Sequence, residues 1–356
     1  MSTILAFCPN LVGDTVMATP AFRALRLGFP DARIIAVVKP KVAPTLDGSP
    51  WFNDRIALDP RSSRPEERGP AALARMRQER ADVAVLFPNS FRSAWLAWRA
   101  GASRRVGYAR GGRGWLLTDR LRPIRDERGR FQPSPILDAY LELPRALGCP
   151  VVDRNIELFT TEADEAAADA AWSRLGLTLD RPVVCLNTGG AFGPAKSWPV
   201  EHFATLARKL VDEAGLSVLV VCGPAEREAS RSIAAQANRP GIVSLADEPP
   251  SIGLTKACVR RSTLLITTDS GPRHFAAGFD VPVITLFGPT HVLWTLTYQP
   301  RSIHLRHPVP CGPCQQPTCP EGHHRCLRDL SPDSVFHAAI RLLKSSADFA
   351  ELVEIV

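Results

Sequence analysis

The sequence predicts an α/β protein made of two Rossmann-like, doubly wound domains, and three observations predict it. Short apolar runs (ILAF, VAVLF, LVVC, LLIT, VPVITLF) alternate with helix-period segments, the pattern of parallel strands covered by helices on both faces. The alternation restarts after a strongly helical stretch that ends near Gly176, so it describes two series. The chain has 356 residues, 45% hydrophobic and 22% charged, which suits two globular cores and excludes a disordered chain.

TILAFCP reads as the first strand and NLVGD as a turn. A helix follows in TPAFRALRLGF, where Thr19 is placed to cap and Pro20 to take the first helical position. ARIIAVVKP is the next strand; ADVAVLFPN follows a polar stretch rich in Arg and Pro and leads into a helix around SFRSAWLAWRAG. EADEAAADAAWSRLG is helical from about Glu162 to Gly176. The second series opens with PVVCLNTGG, a strand and glycine turn, then the helix PVEHFATLARKLVDEAG. SVLVVCGPAE is a strand and turn before a helix from Glu226 to Asn238; STLLITTDSG is a strand followed by a short helix and the strand VPVITLFGPT. SPDSVFHAAIRLLKSS is a last helix that Ser331 can cap. A junction near residues 172–181, at LGLTLDRP, gives domains 1–175 and 176–356. Open parallel sheets bind ligands beyond the carboxyl ends of their strands, so the loops after these strands are expected to hold the chemistry.

Composition narrows the function classes. No apolar run approaches the ~18 residues of a membrane span. MSTILAFCPN has no basic region ahead of its apolar run and no cleavage site, so no signal peptide is expected. Of nine cysteines, Cys8, Cys149, Cys185, Cys222 and Cys258 are scattered and read as buried free thiols, which suits a reducing cytoplasm. Net charge is +7, and Arg99–Arg130 alone holds ten arginines against three acids. That segment is either a solvated face or a patch for phosphates, an acidic sugar, a membrane surface or nucleic acid. Its aromatics are only Tyr108 and Trp115, which weighs against a stacking surface for nucleic acid.

Several turns carry candidate chemistry. TTDSGPRH leaves a strand and opens a helix, so backbone N–H groups, Gly271 and His274 there could receive a diphosphate, with Asp269 and Ser270 beside them. A helix cap with a stray histidine is the plain alternative. NTGGAFGPAKSWP places Lys196 in a glycine-containing loop after Thr188, without the spacing of a Walker loop. Glu226, just past a strand, could accept from a ribose or base, or simply start a helix. Asp14 follows the first strand and could serve as a general base or as an acid in a helix's first turn. There is no G-x-G-x-x-G after the first strand and no Asp-x-Asp, so neither a nicotinamide site nor a metal–diphosphate handle is expected. CGPCQQPTCPEGHHRC, with Cys311, Cys314, Cys319, Cys326, His323 and His324, suggests a structural zinc or a thiol-rich loop.

Taken in order, PNLVGDTVMATPAFRALR, RRVGYARGGRGWLLTDRL, GGAFGPAKSWPVEHF, VVCGPAE and TTDSGPRHFAAGFDVPVITLFGPT resemble the heptosyltransferase family, inverting transferases of the lipopolysaccharide inner core. The resemblance spans nearly the whole chain and is closer to the heptosyltransferase II branch, from which Asn10, Leu11 and GGAF depart. It implies a GT-B type fold with two domains facing across a cleft, an N-terminal acceptor domain and a C-terminal ADP-sugar domain. It implies an ADP-heptose donor lined by Thr188, Lys196, Glu226, Asp269, Ser270, Gly271 and His274, with Asp14 as base and no cofactor needed for catalysis. The basic segment, with Arg110 and Arg113, would meet an anionic lipopolysaccharide-core acceptor at the inner membrane surface, on its cytoplasmic side, with no nucleic-acid partner. The alternatives are a two-domain transferase or epimerase using another nucleotide sugar, separable by donor selectivity, and a non-catalytic anion-binding module, separable by the salt dependence of nucleic-acid binding.

Overall fold

The computed structural model describes residues 2–190, 192–345 and 352–355. The chain divides into two compact units, Met1–Phe159 with Leu293–Thr297, and Thr160–Val292 with Tyr298–Val356. The division falls at Phe159/Thr160, ahead of the helix Glu162–Leu175 and not after it as the sequence suggested. The reason is electrostatic as well as apolar: Arg261 grips Glu165 at 2.7 Å and Lys256 sits 3.5 Å from Asp164, tying that helix to Ile252–Arg260 of the second unit.

In the first unit, strands β1 (Thr3–Phe7), β2 (Arg33–Val38), β3 (Asp54–Ala57), β4 (Val83–Leu86), β5 (Arg104–Tyr108) and β6 (Asp119–Leu121) form one parallel sheet in the order β3-β2-β1-β4-β5-β6. Leu5 pairs with Ile35 on one side and Ala84 on the other, and all three are fully buried, as expected for a sheet covered on both faces. One core cluster packs Phe7, Val37 and Leu86 against Met76, Ala94 and Ala97.

The second unit repeats the plan. Strands β7 (Val183–Asn187), β8 (Ser217–Val221), β9 (Ile242–Ser244), β10 (Leu264–Thr268), β11 (Val283–Phe287), β12 (Ser302–Arg306) and β13 (Leu352–Ile355) form a parallel sheet in the order β13-β12-β11-β10-β7-β8-β9. The α/β, doubly wound prediction therefore holds for both units. Strand order reverses beside β1 in the first sheet and beside β7 in the second, and those switch points leave the crevices where such sheets hold ligands.

Two local expectations are corrected. The turn expected at NLVGD is the start of a short helix, Val12–Met17, which places Asp14 in a first turn. Thr19 does not cap the next helix, Thr19–Gly28, but begins it; its hydroxyl donates to the Val16 carbonyl at 2.8 Å and accepts from the Glu157 N–H. Ser331 does cap Pro332–Lys344, accepting from the Ser334 N–H. Among the described residues, no helix is long and apolar enough to cross a membrane.

Candidate active site

At the switch point of the second sheet, β7 ends on Asn187, which the sequence reading did not single out. Its side-chain amide donates to Ser270 Oγ at 2.7 Å, Thr267 Oγ1 at 3.0 Å and the Gly189 carbonyl at 3.1 Å. One buried side chain thus fixes the turn after β7 against the turn after β10. Its visible signal was a polar residue closing an apolar strand before Thr-Gly-Gly. Gly189 is required there, because a Cβ would stand 2.7 Å from Glu226 Cγ. Glu226 closes the turn after β8 and is the residue before the helix Arg227–Ala237, with no capping bond from its side chain. Thr188, Glu226 and Ser270 are therefore brought to one place by three strand ends.

Lys196 and Asp269 meet directly. The Lys196 ammonium donates to Asp269 Oδ2 at 2.6 Å and to its carbonyl at 2.9 Å, and lies 4.6 Å from the Phe192 ring centre. Thr290, the last residue of the LFGPT turn, donates to the same Oδ2 at 2.7 Å, and Arg273 stands 3.9 Å from Oδ1. Burial alone would raise the Asp269 carboxyl, but the Lys196 and Arg273 charges and the two hydrogen bonds bring it down to about 2. Lys196 was expected to point at a ligand as a free charge; here it is already paired. Asp269 ties the loops that carry Lys196 and Thr290 to its own turn.

His274 lies in the short helix Arg273–Gly278 and is 3% exposed. Its N–H bonds the Gly271 carbonyl, closing the turn that Ser270 and Gly271 form. Burial, then the Arg273 charge, push its imidazole down to about 3 despite the opposing Asp269, so it is neutral at physiological pH. Its Nδ1 and the Thr188 Oγ1 are buried with no hydrogen-bond partner among the described residues. Buried polar groups are rarely left so, and each costs about 1–3 kcal/mol unless something satisfies it. Beneath the turn, Arg273 Nη2 lies 3.0 Å from Nε2 of the fully buried His304, a support the sequence did not reveal.

In the first unit, Asp14 is half-buried in the first turn of the helix Val12–Met17, close enough to Tyr140 for its charge to help burial raise that phenol. Arg110 is half-buried with its guanidinium 3.7 Å from the Phe131 ring centre. Arg113 overturns its expectation. It is fully buried and donates to the carbonyls of Pro88, Ser90 and Tyr108, to Ser93 Oγ and to Asn89 Oδ1. Burial and the neighbouring Arg110 charge lower it to about 10. It braces the loop after β4 and offers no charge to an acceptor.

The Cys-rich segment is also corrected. Cys311, Cys314, Cys319, Cys326, His323 and His324 line one small cavity, yet among the described residues no group of three or more His, Cys, Asp or Glu is arranged to hold a metal ion. The expected zinc is unsupported and all nine cysteines are free thiols, Cys222 being half-buried where full burial was expected. The segment braces the site instead. The Pro317 carbonyl accepts the Ala195 N–H at 3.0 Å, and the Gln315 N–H donates to the Pro289 carbonyl at 2.8 Å. Gly193, at φ 142°, is forced by this contact, since a Cβ would lie 2.5 Å from the Pro317 oxygen.

Residues 71–325 match the family model of glycosyltransferase family 9 (heptosyltransferase). Lipopolysaccharide heptosyltransferase 2 of Escherichia coli (strain K12) is 29% identical over 96% of this chain and 98% of its own length. Lipooligosaccharide heptosyltransferase 2 of Campylobacter jejuni is 27% identical over 96% and 99%. The solved structure of E. coli ADP-heptose lps heptosyltransferase II aligns at a TM-score of 0.76 and 26% identity, covering 96% of this chain and 98% of that one. A glycosyl transferase family 9 structure from Veillonella parvula, 24% identical, shares the fold at 0.79 over 96% and 97%. These neighbours are of GT-B type, the two-domain α/β plan described above. With its family model matched over most of its length, the chain is a glycosyltransferase and belongs to family 9, the heptosyltransferases.

Proposed function

We propose that the protein moves heptose from ADP-heptose to the inner core of lipopolysaccharide, inverting the anomeric configuration in one displacement. The observation that carries this reading is the pair of orphaned, buried polar atoms, Thr188 Oγ1 and His274 Nδ1, beside the Lys196–Asp269 pair at the switch point of the second sheet. Such groups suit a polar, anionic ligand held outside the strand ends. The family membership and the named relatives support a nucleotide sugar as that ligand.

In this reading Thr188, Ser270, Gly271 and His274 receive the diphosphate, Lys196 shares its charge between phosphate and Asp269, and Glu226 accepts from the ribose. Asp14 takes the proton of the acceptor hydroxyl. That oxygen bonds to the anomeric carbon as the carbon–oxygen bond to ADP breaks, and the electron pair leaves with ADP. The departing charge is met by Lys196, neutral His274 as a donor, and backbone N–H groups, so the reading needs no cofactor. Arg110 serves the anionic core acceptor, at the cytoplasmic face of the inner membrane, where the basic segment makes a peripheral contact; no nucleic acid takes part.

The test is turnover of purified protein with ADP-heptose over a panel of truncated core lipopolysaccharides, with UDP- and GDP-sugars as competing donors. Transfer from ADP-heptose, with an inverted anomeric signal in the product by NMR, is expected. Preferential transfer from another nucleotide sugar, or retained configuration, overturns the donor or the displacement respectively.

A further inference from the structure

The helix Phe91–Arg99 buries its small and aliphatic residues but turns its largest aromatic side chains outward. Its buried residues are Ser93, Ala94, Leu96 and Ala97. Its outer face, at positions 91, 92, 95, 98 and 99, carries Phe91, Arg92, Trp95, Trp98 and Arg99. The aromatics there are 45%, 37% and 46% exposed, well beyond what packing of the first unit needs. Trp115, 64% exposed, joins the same patch with its ring centre 6.2 Å from that of Phe91. The Arg99 guanidinium lies 5.5 Å from the Trp95 ring centre. Contiguous aromatic surface of this kind marks an interaction site.

From this geometry we infer that the Trp95–Trp98–Trp115 face is the surface by which the first unit seats on an anionic lipid bilayer. The inference rests on the peripheral membrane contact proposed above and names the surface that makes it. Indole rings, with an apolar body and one N–H, prefer the boundary between headgroups and acyl chains. Arg92 and Arg99 share the patch, and Arg120, Arg122, Arg125, Arg128 and Arg130 further along the same segment are exposed as well. An anionic leaflet attracts that charge. A second copy of the chain would set arginine against arginine across the same face, so lipid is the favoured occupant.

The test uses full-length protein and vesicles of phosphatidylglycerol with phosphatidylcholine. The parent is expected to co-sediment with anionic vesicles, less so as salt rises from low to high, and to lose Trp fluorescence to brominated lipid. Of its seven tryptophans, Trp51, Trp172 and Trp198 are buried and Trp294 is half-buried, so quenching reads chiefly the three on the exposed face. The Trp95→Ser/Trp98→Ser/Trp115→Ser variant should lower vesicle partitioning at least tenfold, with far-UV circular dichroism unchanged. Replacing the same residues by Tyr should keep most of the binding. Turnover on a soluble truncated acceptor should not change. If the serine variant partitions like the parent, this face is wrong while the membrane contact stands. If the parent binds no anionic vesicle, the contact itself is wrong, whatever the sugar-transfer assay gives. A parent dimer that the serine variant abolishes, without loss of vesicle binding, assigns the face to self-association and overturns the inference.

Discussion

Lys196→Met keeps most of the aliphatic stem and removes the charge that holds Asp269. The carboxylate is 4% exposed and loses its 2.6 Å partner, keeping Thr290 at 2.7 Å and Arg273 at 3.9 Å. Removing one member of a buried pair costs about 3–5 kcal/mol, and the two remaining partners bring the expectation to about 2–3 kcal/mol. For a unit of this size that lowers Tm by about 5–10 °C. Activity should fall ten- to hundredfold in kcat/KM for the donor, the loss of a charge-assisted contact worth about 1.5–3 kcal/mol. The assay is a thermal melt by circular dichroism beside steady-state kinetics, with ADP-heptose varied at saturating acceptor. Lys196→Met/Asp269→Asn removes both members of the pair and leaves only Arg273 buried beside the new amide, so it should recover part of the Tm but none of the donor affinity. A single variant that melts with the parent, or a double variant no more stable than the single, refutes the coupling drawn from these contacts.

Asp14→Asn should lower kcat by roughly 10²–10⁴ with the donor KM little changed; turnover within a few-fold of the parent would make Asp14 a helix acid only. The His274 imidazole titrates at about 3 when folded and near 6.5 when unfolded, so its stabilisation is complete above about pH 6.5 and drains away as pH falls toward 3. His274→Asn should therefore flatten the stability curve between pH 6.5 and 4.5, where the parent loses roughly 2 kcal/mol more, and urea melts across that range would detect it. Arg113→Ala should destabilise the first unit by several °C in a thermal melt, whereas Arg110→Ala should spare the melt and raise the acceptor KM in a way that salt removes. Treatment with a chelator should leave turnover intact at constant fold; loss restored by magnesium would contradict the metal-free reading.

The parallel strands were legible where apolar runs are long. β1, β2, β4, β7, β8, β10 and β11 each present a run of buried residues, and the period shifts to helical between them. β5, RRVGY, was not, because its flanks are arginines whose charge is spent locally: Arg104 pairs with Asp119 at 2.8 Å and Arg105 donates to the Leu116 carbonyl. The same local spending hid the role of Arg113. Sequence showed a cluster of cations; only the fold shows which of them is turned inward to brace a loop. Thr188, Glu226, Asp269 and Ser270 were legible as neighbours because each lies just past a strand end. That Lys196 and Asp269 face each other across 73 residues of sequence has no local signature. The cysteine spacing did bring the four thiols to one cavity, but spacing does not say whether they are set at metal-ligand geometry, and among the described residues they are not.

The brace from Gln315 and Pro317 has a consequence for anyone who would exchange these loops between relatives. The loops carrying Lys196 and Thr290 lie far apart in the chain, yet a single downstream stretch holds the backbone of both. Exchanging either loop alone leaves its new backbone facing a clasp shaped for the old one, and the misfit passes directly to the other loop. The transferable unit is thus discontinuous: 192–197, 288–290 and 311–327 travel together, and a chimera that cuts between them inherits the Lys196–Asp269–Thr290 contacts of neither parent.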